Sequence, residues 1–199
     1  MFSGIIQDLG LIVDLKKHAD SIGFCIKTSM INDLIIGQSI SHNGICLTIT
    51  GIHKDYYITT TVQETITKTT VKNWNVGQQI NLEKSLIYGD LIDGHIVQGH
   101  IDCVGVCTKI LKNETSYIFR FKYPSVNQDL IFEQGSIAIN GVSLTIAKLL
   151  DNTFELEVAI IPHTFKHTTF KNIKTNDLVN LEFDPFAKQI KRHISLLKL

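Results

Sequence analysis

Apolar and polar positions alternate along this chain in short runs, and a sustained helical period emerges only after residue 184. The runs Ile5 to Val13, Gly23 to Thr28, Ser39 to Ser41, Ile45 to Ile52 and Tyr56 to Thr61 are rich in Ile, Val, Thr and Tyr, the residues that suit a pleated, half-buried surface. Turn residues separate them: Gly37, Asn43-Gly44 and Lys54-Asp55. Asn-Gly is the strongest of these signals, because both central residues of a type I′ hairpin turn need positive φ. After the fifth run come a Thr-rich segment with room for one helical turn, a turn at Val76-Gly77 and a last strand. About six strands in roughly 90 residues, with no long helix, predict a small closed barrel, since closure removes exposed sheet edges.

The pattern then repeats. Phe2-Ser3-Gly4-Ile5-Ile6-Gln7-Asp8-Leu9-Gly10 aligns with the segment from Val97 to Gly105, and the hairpin Asn43-Gly44-Ile45-Cys46-Leu47-Thr48 aligns with Asn140-Gly141-Val142-Ser143-Leu144-Thr145. Glu64 to Val71 aligns with His163 to Phe170, and Ile80-Asn81-Leu82-Glu83 with Val179-Asn180-Leu181-Glu182. The offset drifts from 95 through 97 to 99, so four blocks recur in the same order. A duplicated domain follows: a first barrel over residues 1–93 and a second over 94–184. The boundary falls in the Gly- and Asp-rich stretch Tyr88 to Gly94.

The tail is of another kind. Asp184-Pro185 reads as an N-cap followed by Pro at the first helical position. Phe186, Ile190, Ile194 and Leu197 then fall at helical spacing, with Lys188, Lys191, Arg192 and Lys198 between them. An amphipathic helix over 185–199 is expected. Its apolar stripe is to be buried on its own barrel, the slightly favoured reading, or on a partner chain. The fold class is therefore mainly β: two tandem homologous six-stranded closed barrels of Greek-key type plus a C-terminal amphipathic α-helix.

Composition narrows the function classes. Lys+Arg and Asp+Glu number 19 each, and the sequence pI is about 7.1, so there is no basic field for nucleic acid or an anionic membrane. No apolar run approaches the roughly 20 residues of a membrane span. The N-terminal residues lack the basic region and small-residue cleavage site of a secretory signal. Cys25, Cys46, Cys103 and Cys107 form no pair with zinc-ligand spacing, and no metal site is expected; reduced thiols in a cytoplasmic protein are the simpler reading.

These motifs together resemble the riboflavin synthase family. The resemblance is carried by Met1-Phe2-Ser3-Gly4-Ile5-Ile6, both Asn-Gly hairpins, Gly94-His95-Ile96-Val97-Gln98-Gly99-His100-Ile101-Asp102, Ile161-Pro162-His163-Thr164 with Thr168-Thr169, and Glu182-Phe183-Asp184-Pro185. It implies a transferase of riboflavin biosynthesis. Two molecules of 6,7-dimethyl-8-ribityllumazine dismutate by transfer of a four-carbon unit, giving riboflavin and 5-amino-6-ribitylaminouracil. It also implies no external cofactor, a homotrimer held by the C-terminal helices, and a first barrel of one subunit facing the second barrel of another. Association with lumazine synthase is a further partner that the resemblance raises. A reaction between two copies of one compound accounts for the duplication, because two similar facing pockets hold both reactants in register.

Within that resemblance, Cys46, His100, Ser143, Asp184 and Phe2 are the candidate catalytic residues. A buried Cys is most often an apolar filler, but the Cys46/Ser143 exchange between otherwise matching hairpins suits two substrates that are treated differently. His100 aligns with Ile5, so one repeat alone carries an imidazole there, a group that titrates near neutrality. His95 ranks lower, because on a regular strand it faces the other way. Asp184 is an ordinary N-cap that the family also places in catalysis, and Phe2 closes the site in the family. The substrate-binding candidates are Gly4, Ile5, Ile6, Leu47, Thr48, Thr60, Thr61, Val62, Gln63, Glu64, Thr65, Gly99, Ile101, Gln134, Leu144, Thr145, Ala159, Ile160, Ile161, Pro162, His163 and Thr164, together with Cys46, His100 and Ser143. Thr48 and Thr145 share a strand face with Cys46 and Ser143, and their hydroxyls suit a pyrimidinedione edge. Gly4 and Gly99 suit close approach of backbone to a flat ligand. Two departures stand out: Gln134-Gly135 replaces the family's usual Lys-Gly, so a hydrogen-bonding group stands in for a charge, and Asn140 stands where many members have Asp. The competing expectation is a non-catalytic carrier of lumazine or flavin. Such relatives erode the second pocket, whereas here Gly99-His100 and Ser143-Leu144-Thr145 are intact.

Overall fold

The computed structural model describes residues 1–197; Lys198, counted above among the basic residues of the tail, lies outside the described residues. The first barrel comprises β1 (Asp8–Lys17), β2 (Ser21–Lys27), β3 (Ser39–His42), β4 (Ile45–Ile52), β5 (Tyr57–Val62) and β6 (Gln79–Lys84). They close in the order β1-β2-β5-β4-β3-β6, every neighbouring pair antiparallel. The second comprises β7 (Cys103–Lys112), β8 (Tyr117–Lys122), β9 (Ser136–Ile139), β10 (Val142–Leu150), β11 (Glu155–Ile160) and β12 (Leu178–Phe183), closed in the corresponding order. One-turn helices α1 (Gln63–Lys68) and α2 (Pro162–His167) follow the fifth strand of each barrel, and α3 (Pro185–Leu196) ends the fold.

The Asn-Gly turns have the backbone their sequence demands. Asn43 and Gly44 lie at φ 46° and 85°, and Asn140 and Gly141 at 47° and 78°. β1, β4, β7 and β10 each carry a bulge, at Ile12/Asp14, Ile49/Gly51, Cys107/Lys109 and Ile146/Lys148. One extra residue bends a strand and increases its twist, which lets each of these strands pair with two neighbours around a six-stranded wall.

Inward-facing residues fill each barrel: Ile12, Phe24, Ile40, Ile49 and Trp74 in the first, Phe119, Phe121, Ile137, Leu156 and Phe170 in the second. The repeats fill equivalent space differently. Val71 and Trp74 of the first barrel correspond to Phe170 and Ile173 of the second, so the large aromatic moves by three residues. Trp74 Nε1 donates to Thr70 Oγ1 at 3.3 Å, whereas Ile173 has no donor and the buried Thr169 Oγ1 is left without a partner.

Two expectations need correction. β1 begins at Asp8 rather than Ile5. Gly4 sits at φ 78°, and the backbone ahead of Asp8 is drawn across to the other barrel, where Gly4 O accepts from Ser143 N at 2.8 Å. The stripe of α3 does not pack on its own barrel either: Phe186, Ile190 and Ile194 are 59%, 60% and 63% exposed. The helix is held by its polar side, through Lys188 to Asp102 at 2.9 Å and Lys191 to Asp129 at 3.5 Å, which turns the apolar stripe outward. Asp184 Oδ1 caps the helix, accepting from Phe186 N at 2.8 Å.

The barrels meet about a pseudo-two-fold axis. Asn81 of β6 donates through Nδ2 to Asn140 O at 2.9 Å and accepts from Thr169 N at 2.7 Å; Asn180 of β12 does the same to Asn43 O at 2.9 Å and Thr70 N at 2.8 Å. Phe2 and Val97 exchange backbone bonds at 2.7 and 3.0 Å, a two-residue bridge between the segments that precede the barrels.

His42 is an imidazole in the first core where the second has Ile139. It is fully buried, with Nδ1 2.9 Å from Ile40 O and Nε2 2.7 Å from Tyr57 Oη. The carbonyl fixes the proton on Nδ1, so Nε2 accepts from the tyrosine. Burial holds the imidazole down at about 4, below its ordinary 6.5. The unfolded chain therefore binds the extra proton first, and this contribution is complete above pH 6.5 and lost as pH falls toward 4, up to about 3 kcal/mol in all. A His42→Ile/Tyr57→Phe variant is expected to keep its unfolding midpoint between pH 7 and 5 better than the parent, measured by thermal melts across that range.

Candidate functional site

Each barrel's hairpin is covered by the segment that leads into the other barrel. Cys46 N donates to Gly99 O at 2.9 Å, and Ser143 N to Gly4 O at 2.8 Å. The approach is so close that a Cβ on Gly99 would lie 2.5 Å from Cys46 Cβ, and one on Gly4 2.6 Å from Ser143 Cβ. Both glycines also lie at positive φ, 82° and 78°, so the segment tolerates no other residue there without strain. The candidate residues thus sort differently from their order in the chain. Gly99-His100-Ile101 belongs with Cys46 of the first barrel, and Gly4-Ile5-Ile6 with Ser143 of the second.

The first constellation encloses a cavity of about 350 Å³. The hairpin contributes Ile45 and Cys46; α1 and its C-cap contribute Glu64, Thr65, Lys68 and Thr69; the crossing segment contributes Gly99, His100 and Ile101. Phe2 is fully buried beside Val97, Ala138 and Cys46, a packing position that is not among the residues lining this cavity. Glu64 pairs with Lys68 at 2.8 Å along the exposed face of α1. Thr48 and Thr60 are exposed, as are Val62 and Gln63. Thr61 is buried, its hydroxyl donating to Ile22 O at 3.3 Å, and Leu47 points into the barrel core, so only its backbone is available outside.

The second constellation gathers Ser143, Gly4 and a residue ranked low from sequence. His95 Nδ1 lies 2.7 Å from Ser143 Oγ, and Asp184 is the acid that acts on the His95 imidazole. The low rank assumed a regular strand from His95 to His100. Gly99 at positive φ breaks that strand, and Gly94 packs directly against Ser143, so the linker lays His95 on the serine. Burial lowers the His95 pKa from its ordinary value, with the Asp184 carboxylate pulling the other way, and Nε2 is buried without a partner. A neutral imidazole beside a serine hydroxyl can accept or donate a proton at Oγ.

Around this constellation Thr145, Ala159, Ile161, Pro162 and His163 are exposed, Thr164 is half-buried, and Ile160 belongs to the core. Leu144 and Ile6 pack on the second core, while Ile5 is 43% exposed. Gln134 is exposed at φ 69° in the turn before β9 and lines no part of the Cys46 pocket. Cys103 and Cys107 are pushed up by burial to about 12 and about 11, which removes them as nucleophiles. Among the described residues no group of three His, Cys, Asp or Glu could hold a metal.

A larger groove of about 770 Å³ lies elsewhere, lined in pairs by Asn43 and Asn140, Thr70 and Thr169, Asn73 and Asn172. Its paired lining marks it as the open side of the barrel–barrel contact. It holds none of the candidate catalytic residues.

Two like barrels, each with its hairpin covered by the segment leading into the other, define a tandem-barrel fold with two equivalent hairpin constellations of different chemistry. The lumazine binding domain model matches this chain twice, over residues 3–85 and 98–184. Riboflavin synthase of Chlamydia trachomatis is 39% identical, with 94% of this chain and 92% of that protein covered; riboflavin synthase of Bacillus subtilis is 34% identical, with 98% and 90% covered. Crystal structures of LumP with 6,7-dimethyl-8-(1'-D-ribityl) lumazine and with riboflavin superpose at TM-scores of 0.83 and 0.85, each 25% identical and covering 92% of this chain and 99% of that one. The chain belongs to the lumazine-binding riboflavin synthase family.

The electrostatics of the second constellation are directly testable. Removing the Asp184 charge takes away the group that favours imidazolium, so Asp184→Asn is expected to lower the His95 pKa further, read from the imidazole resonances in a pH titration by NMR.

Proposed function

We propose that this chain catalyses the riboflavin synthase reaction, the dismutation of two 6,7-dimethyl-8-ribityllumazine molecules into riboflavin and 5-amino-6-ribitylaminouracil by transfer of a four-carbon unit. The observation that carries this reading is the pairing of a common backbone frame with different chemistry: Cys46 with His100 at one pocket, Ser143 with His95 and Asp184 at the other. The frame serves two copies of one compound, and the differing side chains suit a donor and an acceptor. Holding both reactants removes much of the entropic cost of their encounter.

In this reading Gly4 and Gly99 let backbone approach the flat ring system. The Cys46 and Ser143 side chains stand where ring atoms or the acidic methyl group would be polarised, and the imidazoles of His95 and His100 are the groups placed to move a proton. Asp184 steadies positive charge on His95. Reduced thiols and a cytoplasmic location accord with four free cysteines, and lumazine synthase association stays an expectation of the family resemblance. The carrier reading draws support from the LumP complexes and is separated by turnover. Incubation with 6,7-dimethyl-8-ribityllumazine is expected to generate riboflavin fluorescence; stoichiometric binding without turnover would select the carrier. Asp184→Asn, which keeps the helix cap, is expected to lower kcat at least about tenfold, and Cys46→Ser to change it by more than about twofold.

We further propose that three copies assemble through the outward stripe of α3, continued by Leu197 at its end, since an apolar row this exposed on a soluble helix calls for a cover. Sedimentation of the full chain is expected to give a trimer. Ile190→Glu/Ile194→Glu is expected to give a folded monomer with turnover largely lost, because in the trimer the facing pockets come from different subunits.

A further inference from the structure

Glu83 and Glu182 occupy equivalent places on β6 and β12, are each 1% exposed, and have no part in the chemistry above. Each carboxylate is hydrogen-bonded mainly by main-chain donors, with no direct bond to a cation. Glu83 Oε1 accepts from Ser3 N at 2.7 Å and Ser3 Oγ at 2.8 Å, and its Oε2 from Gly4 N at 3.0 Å. Glu182 Oε1 accepts from Gln98 N at 2.7 Å, and its Oε2 from Gly99 N at 3.0 Å and His100 N at 3.1 Å. A buried carboxylate is costly unless hydrogen-bonded, and charge-assisted bonds of this kind are about twice as strong as neutral ones. The same bonds leave the crossing segment a single path. With its N–H groups turned to the glutamate, the segment directs its glycine carbonyl at the opposite hairpin. Two relays result, Glu83 through Gly4 to the Ser143 amide and Glu182 through Gly99 to the Cys46 amide.

We infer that Glu182, on the second barrel, is a positioning residue for the Cys46 pocket of the first, and that Glu83, on the first barrel, is the positioning residue for the Ser143 pocket of the second. That these pockets take lumazine or riboflavin rests on the function proposed above; the crossed positioning does not. The role requires an ionised carboxylate. Donors reach both oxygens, so a Gln at either position would turn its own NH₂ against a main-chain N–H, and a protonated carboxyl would turn its O–H the same way. The charged groups beside Glu182 are Lys188 of α3, which favours ionisation, and Asp102, which opposes it; these two are themselves paired at 2.9 Å. Burial outweighs the donors and raises Glu182 to about 6, so this relay loosens as pH falls through that value.

The test is ¹H–¹⁵N NMR of the full chain. Glu182→Gln is expected to shift the Gly99, His100 and Cys46 amides and leave Ser3, Gly4 and Ser143 in place; Glu83→Gln is expected to do the reverse. Riboflavin titrations read at the two hairpin amides are expected to lose about tenfold affinity at Cys46 in Glu182→Gln with Ser143 within about twofold, and the converse in Glu83→Gln. A folded variant that moves both sets equally, or neither, overturns the inference. Should a variant fail to fold, the parent protein decides: on acidification the Gly99 and Cys46 amides, joined by the relay, must share one midpoint, and separate midpoints overturn it. Absence of riboflavin binding in the parent would refute the proposed function, while the amide shifts still judge the positioning.

Discussion

The reciprocal amide lock between Asn81 and Asn180 is the interaction on which this molecule turns. Each side chain satisfies two buried main-chain groups of the other barrel, a carbonyl at the Asn-Gly turn and an N–H at the start of the turn after α1 or α2. Stranding either pair would leave two buried polar groups unmatched, about 1–3 kcal/mol apiece. The exposed Glu64–Lys68 pair, by contrast, contributes little to stability. With the lock in place the two hairpins face each other, Gly44 against Gly141, at a distance that only glycine permits. The crossing segments then have a fixed surface to lie on, and both pockets come into being together.

The fold was legible because its signals are local. Asn-Gly turns, alternating β-branched runs and a fourfold block match at drifting offset specify two barrels without reference to any contact between them. The pairing of the barrels was not legible, since nothing in the spacing says which segment covers which hairpin. Gly99-His100 follows the first barrel in sequence and reads as the entrance to the second, yet it completes the Cys46 pocket. His95 was undervalued for a related reason: a strand was assumed through a glycine that takes positive φ. The signal that would have found Asn81, Asn180, Glu83 and Glu182 was present all along in the repeated Asn-Leu-Glu triplets. Polar residues buried on the outer face of a strand, opposite the core-facing Leu82 and Leu181, are expensive. Finding them in both copies points to a shared partner, which is the other copy.

Where the copies differ, the difference is absorbed in one of two ways. In the cores it is volumetric or polar: Val71 with Trp74 against Phe170 with Ile173, and the His42–Tyr57 pair against Ile139 and Leu156. These exchanges preserve the barrel wall and leave one stray hydroxyl at Thr169 as their residue. At the hairpins the frame bonds are preserved, 2.9 Å at Cys46 and 2.8 Å at Ser143, while the side chains on them change. A common frame thus carries two different sets of side chains.

The linker that joins the barrels carries a last consequence. A perfect two-fold axis would make both pockets identical, but a tandem chain has a single joint between its halves, and that joint must run past one pocket and not the other. Here it runs past Ser143, bringing Gly94 and His95 with it. Connectivity itself breaks the degeneracy of the pair, so the two constellations differ in backbone surroundings as well as in the Cys46/Ser143 exchange.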